Sequence, residues 1–129
     1  MDEARARDAG KRGETIACTY LIQHGCRILA RNWHSRYGEI DVIAANERHL
    51  IFLEVKTRAP NALVGPLEAV TPAKQRRLIQ TAQLYLLAHP TNLQPRFDVM
   101  GIVLSRDGRT FLHFMYVKNA FSAEKATFF

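Results

Sequence analysis

The sequence predicts an α/β domain, α/β taken broadly to include α+β. Three observations lead there. Gly38 to Ala45 and His49 to Lys56 are apolar runs joined by a short turn, which reads as a hairpin. Residues 2 to about 24 and the stretch opening at Thr71-Pro72 have helical spacing instead. Helix, three strands, helix and further strand therefore follow in that order. With 129 residues, 47% hydrophobic and 23% charged, the chain suits one domain, 1–129, with a real core.

In the first helix, Ile16, Tyr20 and Leu21 recur at helical spacing and Gly25 is a stop signal. Gly10 and Gly13 each cost about 1 kcal/mol against Ala inside a helix. With Ala17 they make a smooth strip suited to close approach to a sheet. Glu14 lies on or beside that strip, either as a surface glutamate paired with an arginine or directed into a cavity with Asp41. Arg27 to Trp33 alternates as a first strand. Arg31, Trp33, His34 and Arg36 lead from it into Gly38, a composition suited to phosphate contact and base stacking. Trp33 itself is expected in the core or at a sheet edge.

The hairpin is the informative part. Ile51, Phe52, Leu53 and Val55 leave almost no polar face, so the strand is expected to be covered on both sides. Yet Asp41, Glu54 and Lys56 lie within it, and buried charges need partners. A turn centred between Glu47 and Arg48 sets Asp41 across from Glu54 and Glu39 across from Lys56. Two carboxylates so placed call for a cation, and hard oxygen donors suit Mg²⁺. The alternative is a structural network: a Glu39–Lys56 ion pair, with Asp41 bonded to backbone amides.

After Thr57 and Arg58 comes a loop, Ala59 to Val70, that could close over a substrate or contact a second subunit. Thr71 is expected as N-cap and Pro72 as first residue of the second helix. Leu78, Ile79, Ala82, Tyr85 and Leu86 form its apolar stripe. Lys74, Arg76 and Arg77 crowd the end where the helix dipole disfavours cations, so either an anion docks there or the face is simply solvated. Arg96 to Leu104 and Thr110 to Val117 are two more strands, joined through Asp107-Gly108. Asp98 is expected to orient a basic side chain from a neighbouring element.

The net charge of +6 favours a polyanionic partner. No apolar run is long enough to span a membrane, and the first residues have no signal-peptide pattern. Cys18 and Cys26 have neither metal-ligand nor disulfide-framework spacing, so a reduced, cytoplasmic protein is expected.

Asp41 in the second strand and Glu54-Val55-Lys56 in the third resemble the PD-(D/E)xK nuclease superfamily, with Ile40 where many members have Pro. More closely, Gly38-Glu39-Ile40-Asp41, Glu54 through Arg58, Lys74 with Arg77-Leu78, and Arg96-Phe97-Asp98-Val99 resemble the YraN-type family of bacterial proteins. That family is similar to archaeal Holliday-junction resolvases, whose first-helix glutamate follows a glycine by four residues, as Glu14 follows Gly10. The resemblance implies a restriction-endonuclease-like core, a mixed central sheet flanked by helices. It also implies a metal-dependent endonuclease acting on DNA, branched or structured, with RNA an alternative and a homodimer suited to a two-fold symmetric substrate. On it, Asp41, Glu54 and the Val55 carbonyl hold Mg²⁺ or Mn²⁺, and Glu14 and Lys56 complete the catalytic set. Arg31, Arg58, Lys74 and Arg77 contact the nucleic acid. A binding module on an inactive nuclease fold is the competing reading.

Overall fold

The computed structural model describes residues 3–61, 65 and 68–123. The elements are α1 (Glu3–Gln23), β1 (Arg27–Ser35), β2 (Gly38–Ala45), β3 (His49–Arg58), α2 (Pro72–Ala88), β4 (Gln94–Leu104) and β5 (Phe111–Phe121). The strands form one five-stranded sheet in the order β1-β2-β3-β4-β5. Only β3 and β4 are parallel, because α2 intervenes and returns the chain to the same edge; the other neighbours are antiparallel. This is the expected mixed sheet flanked by helices. Residues 62–64, 66 and 67 of the 59–70 loop lie outside the described residues, and with them any closing or contact role.

The two helices cover opposite faces. Ala17, Cys18 and Leu21 of α1 pack on Val42, Ala44, Ile51, Leu53, Met100 and Ile102. Leu78, Ile79, Ala82 and Tyr85 of α2 pack on Ile40, Ile43, Leu50, Phe52, Phe97 and Val99. Alternate residues of β3 thus enter different cores, which explains a strand with almost no polar face. Trp33 belongs to the α2 core, edge-on to Tyr85 with ring centroids 5.3 Å apart.

Local chemistry fixes the helix positions. Thr71 has extended backbone and its hydroxyl accepts from the Lys74 amide at 3.2 Å, with Pro72 opening α2. Gly13 is buried, and a Cβ there would lie 2.2 Å from Thr57 Oγ1, so the missing side chain lets α1 rest on β3. Gly10 does not share that role: a Cβ there would meet nothing within 4 Å.

Asp98 differs in one respect from expectation. Its basic partner, Arg96, comes from its own strand, two residues earlier, donating through Nε (3.0 Å) and Nη2 (2.9 Å). Tyr116 Oη and the Asn119 amide of β5 donate as well. Side chains at i and i+2 share a strand face, so the aliphatic stem of Arg96 can fold back over Asp98. A fully buried carboxylate is thereby satisfied, and β5 is tied to β4.

Candidate active site

The β2–β3 ladder has the expected register, with Val42 opposite Leu53, Ile43 opposite Phe52, Ala44 opposite Ile51 and Ala45 opposite Leu50. It ends there. One position further, where Asp41 and Glu54 would pair, side chains replace the ladder. Asp41 Oδ2 accepts from the Val55 amide at 2.8 Å, and the Asp41 and Glu54 carboxyls hydrogen-bond to each other. The anticipated Glu39–Lys56 pair does not form. Glu39 instead accepts from Asn32 Nδ2 at 2.7 Å and lies 3.2 Å from His34 Nδ1. Lys56 Nζ lies 3.2 Å from Glu54 Oε2.

A break in the pleat turns Asp41 toward α1. In a regular strand, residues three apart face opposite sides. Ala30 and Trp33 nevertheless both pack in the α2 core, and so do Ile40 and Ile43 opposite them. Asn32 lies at the break with φ of 52°, a left-handed conformation that Asn tolerates better than most residues. Both strands shift face together, so pairing resumes at Trp33–Ile40 without loss of register. Asn32 and Asp41 both end on the α1 side, where Asn32 donates to both oxygens of Glu14 (3.2 and 3.3 Å) as well as to Glu39.

The result is a cavity of ≈340 Å³ between the N-terminal half of α1 and the ends of β3 and β4, lined by Glu14, Asp41, Glu54, Lys56, Arg58 and Lys74 among others. Glu14 lines it and is also held by Arg31 Nη2 at 3.7 Å, so it combines the arginine pairing of one expectation with the cavity position of the other, its side chain 14% exposed rather than on the surface. Arg31 is engaged with Glu14 and Thr15 on the outer side of α1. Arg58 is at the cavity wall, whereas Arg77 lines an adjoining recess with Gly38, Glu39, Asp41, Glu54 and Lys74. Lys74 approaches Glu54 most closely, with Nζ 2.6 Å from Oε2. One of the cations crowded at the start of α2, Lys74, therefore meets an anion of the chain's own, which offsets its unfavourable place on the dipole.

Burial, then the neighbouring Glu54, pushes the Asp41 carboxyl up to about 8. Burial acts upward on Glu54 too, but hydrogen bonds from Asp41 and Lys74 outweigh it and hold that carboxyl below the usual range. Burial lowers the Lys56 ammonium, with the Lys74 ammonium adding to the effect. One proton is thus shared unevenly between two touching carboxyls, the pattern of like charges without room for both. Thr57 Oγ1, also at the cavity wall, is buried without a hydrogen-bond partner.

These donors fit a hydrated hard cation better than a caged one. Among the described residues no three His, Cys, Asp or Glu side chains converge as a metal-ligand group. Mg²⁺ commonly takes only one or two carboxylates and keeps several waters, and two carboxylates in a cavity of this size allow that.

The sequence reading missed Asn32. Its signal was available: Asn is depleted in strands, and one in mid-strand marks a bulge or a left-handed residue. The pairing of Lys74 with Glu54 had no such signal, since it joins positions 20 residues apart through the crossover.

Residues 13–102 match the uncharacterised protein family UPF0102. A UPF0102 protein of Chlorobium phaeobacteroides is 50% identical over 98 residues, covering 74% of this chain and 77% of its own. One from Nitrosococcus oceani is 39% identical over 126 residues, 96% of this chain and 99% of the relative. One from Mycolicibacterium vanbaalenii is 46% identical over 105 residues, 81% and 86% of the two chains. All nine candidate site residues, Glu14, Arg31, Asp41, Glu54, Val55, Lys56, Arg58, Lys74 and Arg77, fall inside the matched span.

Proposed function

The chain belongs to the UPF0102 family, and from the site geometry and the motif resemblance we propose that it is a metal-dependent endonuclease hydrolysing phosphodiester bonds in DNA. One observation carries the reading: Asp41 and Glu54 meet in a cavity with Lys56 Nζ 3.2 Å from Glu54 Oε2, a costly arrangement for stability alone. The relation to PD-(D/E)xK nucleases, and branched DNA as substrate, rest on the motif resemblance. No helix among the described residues is long and apolar enough to cross a membrane.

Asp41, Glu54 and the Val55 carbonyl would hold Mg²⁺ or Mn²⁺, which supplies a bound water of lowered pKa and stabilises charge on the scissile phosphate. The protein's own groups do the rest. Val55 N–H fixes one Asp41 oxygen, which holds the carboxyl against Glu54 at the cavity. Lys56, with a side chain 17% exposed, is held by Glu54 at the cavity wall, where its ammonium can orient a water or neutralise a phosphate oxygen. Asn32 holds Glu14 so that its carboxylate faces the cavity and can accept from a water there. Arg58 and Arg77, flanking the cavity and its recess, supply phosphate contacts with salt-dependent affinity and little sequence preference.

A second reading, a nucleic-acid-binding module without catalysis, is favoured by one feature: Glu54 is already neutralised by two lysines. Cleavage of a four-way junction, a flap and plain duplex with Mg²⁺ or Mn²⁺ separates the two. Wild type is expected to cut at least one of them, with Glu54→Ala slower by on the order of 100-fold or more. Activity that survives in the variant rejects the assigned site. Salt-sensitive binding without cleavage selects the binding module.

A further inference from the structure

We infer that Lys74 is a displaceable counter-ion: its ammonium occupies the cation position on Glu54, and a divalent ion must release it, freeing it to grip a phosphate. This rests on the metal-site reading above and adds to it a coupling between metal and nucleic-acid binding.

The two lysines on Glu54 Oε2 are not equivalent. Lys56 projects from the interior of a strand and its side chain is 17% exposed. Lys74 comes from the first turns of α2, is 34% exposed, and makes the shorter contact, 2.6 Å against 3.2 Å. Its backbone is fixed by the Thr71 cap, so only the flexible four-carbon stem has to move. A divalent ion on Glu54 would stand within a few ångströms of that ammonium, and the repulsion is strong at such range. Lys56 has little freedom to retreat. Lys74 has an open path, because it also lines the recess that holds Arg77. Residues three apart on a helix are neighbours, so Lys74 turned into the recess would join Arg77 as a two-cation cradle for a phosphate. Glu39, in the same recess, is already engaged by Asn32 and His34.

Mn²⁺ binding to the full chain, measured by calorimetry without DNA, tests this with Lys74→Met, which keeps the stem and loses the charge, and Lys74→Arg, which keeps the charge. Lys74→Met is expected to bind Mn²⁺ about tenfold tighter than wild type, the scale of one partly screened charge, with Lys74→Arg close to wild type. Affinity for a short duplex, read by fluorescence anisotropy, is expected to rise with Mn²⁺ in wild type and not in Lys74→Met. If Asp41→Asn abolishes Mn²⁺ binding but Lys74→Met leaves it unchanged or weaker, the metal site stands and the role of Lys74 is overturned. If wild type binds no Mn²⁺, or binds it unaffected by Asp41→Asn, the metal-site reading fails and this inference with it. Tightening in both Lys74 variants would mean loosened packing rather than lost charge, and also overturns it.

Discussion

Asp41→Asn should make the protein's stability less sensitive to pH. The wild-type carboxyl is pushed from an ordinary 3.8 to about 8 by burial and by Glu54, so the folded state binds a proton that the unfolded state has already lost. Such a group contributes stability that is fully present below the unfolded pKa and is lost as pH rises through the folded one. The loss falls between about pH 4 and about pH 8. At about 1.4 kcal/mol per pH unit for one proton, going from about pH 5 to about pH 8 removes at most roughly 4 kcal/mol. Water reaching Asp41 through the cavity reduces this, and about 2 kcal/mol is the expected change. Glu54 has the opposite sign, its contribution being lost as pH falls below its ordinary 4.5, so it does not mask the window. Asn is a stand-in for the protonated acid: its carbonyl can accept from Val55 N–H and its amide can donate to Glu54. Urea unfolding of both proteins in chelated buffer, from about pH 5 to about pH 8, measures the effect. Wild type should lose stability across the range while Asp41→Asn stays within about 0.5 kcal/mol, the usual scatter of a surface change. Parallel profiles would refute the shared proton between Asp41 and Glu54.

The remaining predictions concern metal and packing. Mn²⁺ at about 100 times its Kd should add about 2.7 kcal/mol at pH 8 in wild type and none in Asp41→Asn, checked by thermal melts with and without chelator. Gly13→Ala and Gly10→Ala should differ in sign. The first sets a Cβ 2.2 Å from Thr57 Oγ1 and should destabilise by about 1–3 kcal/mol. The second meets open space and should stabilise by up to about 1 kcal/mol through helix propensity; urea midpoints report both. Asp98→Ala leaves the Arg96 guanidinium without its carboxylate, and chemical denaturation should show a loss of about 3–5 kcal/mol.

Periodicity sets the elements because burial on one helix face or two strand faces imprints it locally. The sequence by itself therefore determined the order of helices and strands, the Thr71 cap, and the β2–β3 register, which a short turn fixes through the parity of the strands. It also brought Asp41 and Glu54 to adjoining positions, since they lie only a hairpin apart. Three things belonged to the tertiary structure. The ladder ends before Asp41, so its carboxyl bonds to Val55 rather than merely facing Glu54 across a regular sheet. The left-handed turn at Asn32 redirects Glu14, Glu39 and Asp41, taking Glu39 away from Lys56. And α2 delivers Lys74 to Glu54 across the parallel crossover. Each depends on where two distant segments pack, and a pattern that reports only which residues are apolar carries no record of how two distant charges meet.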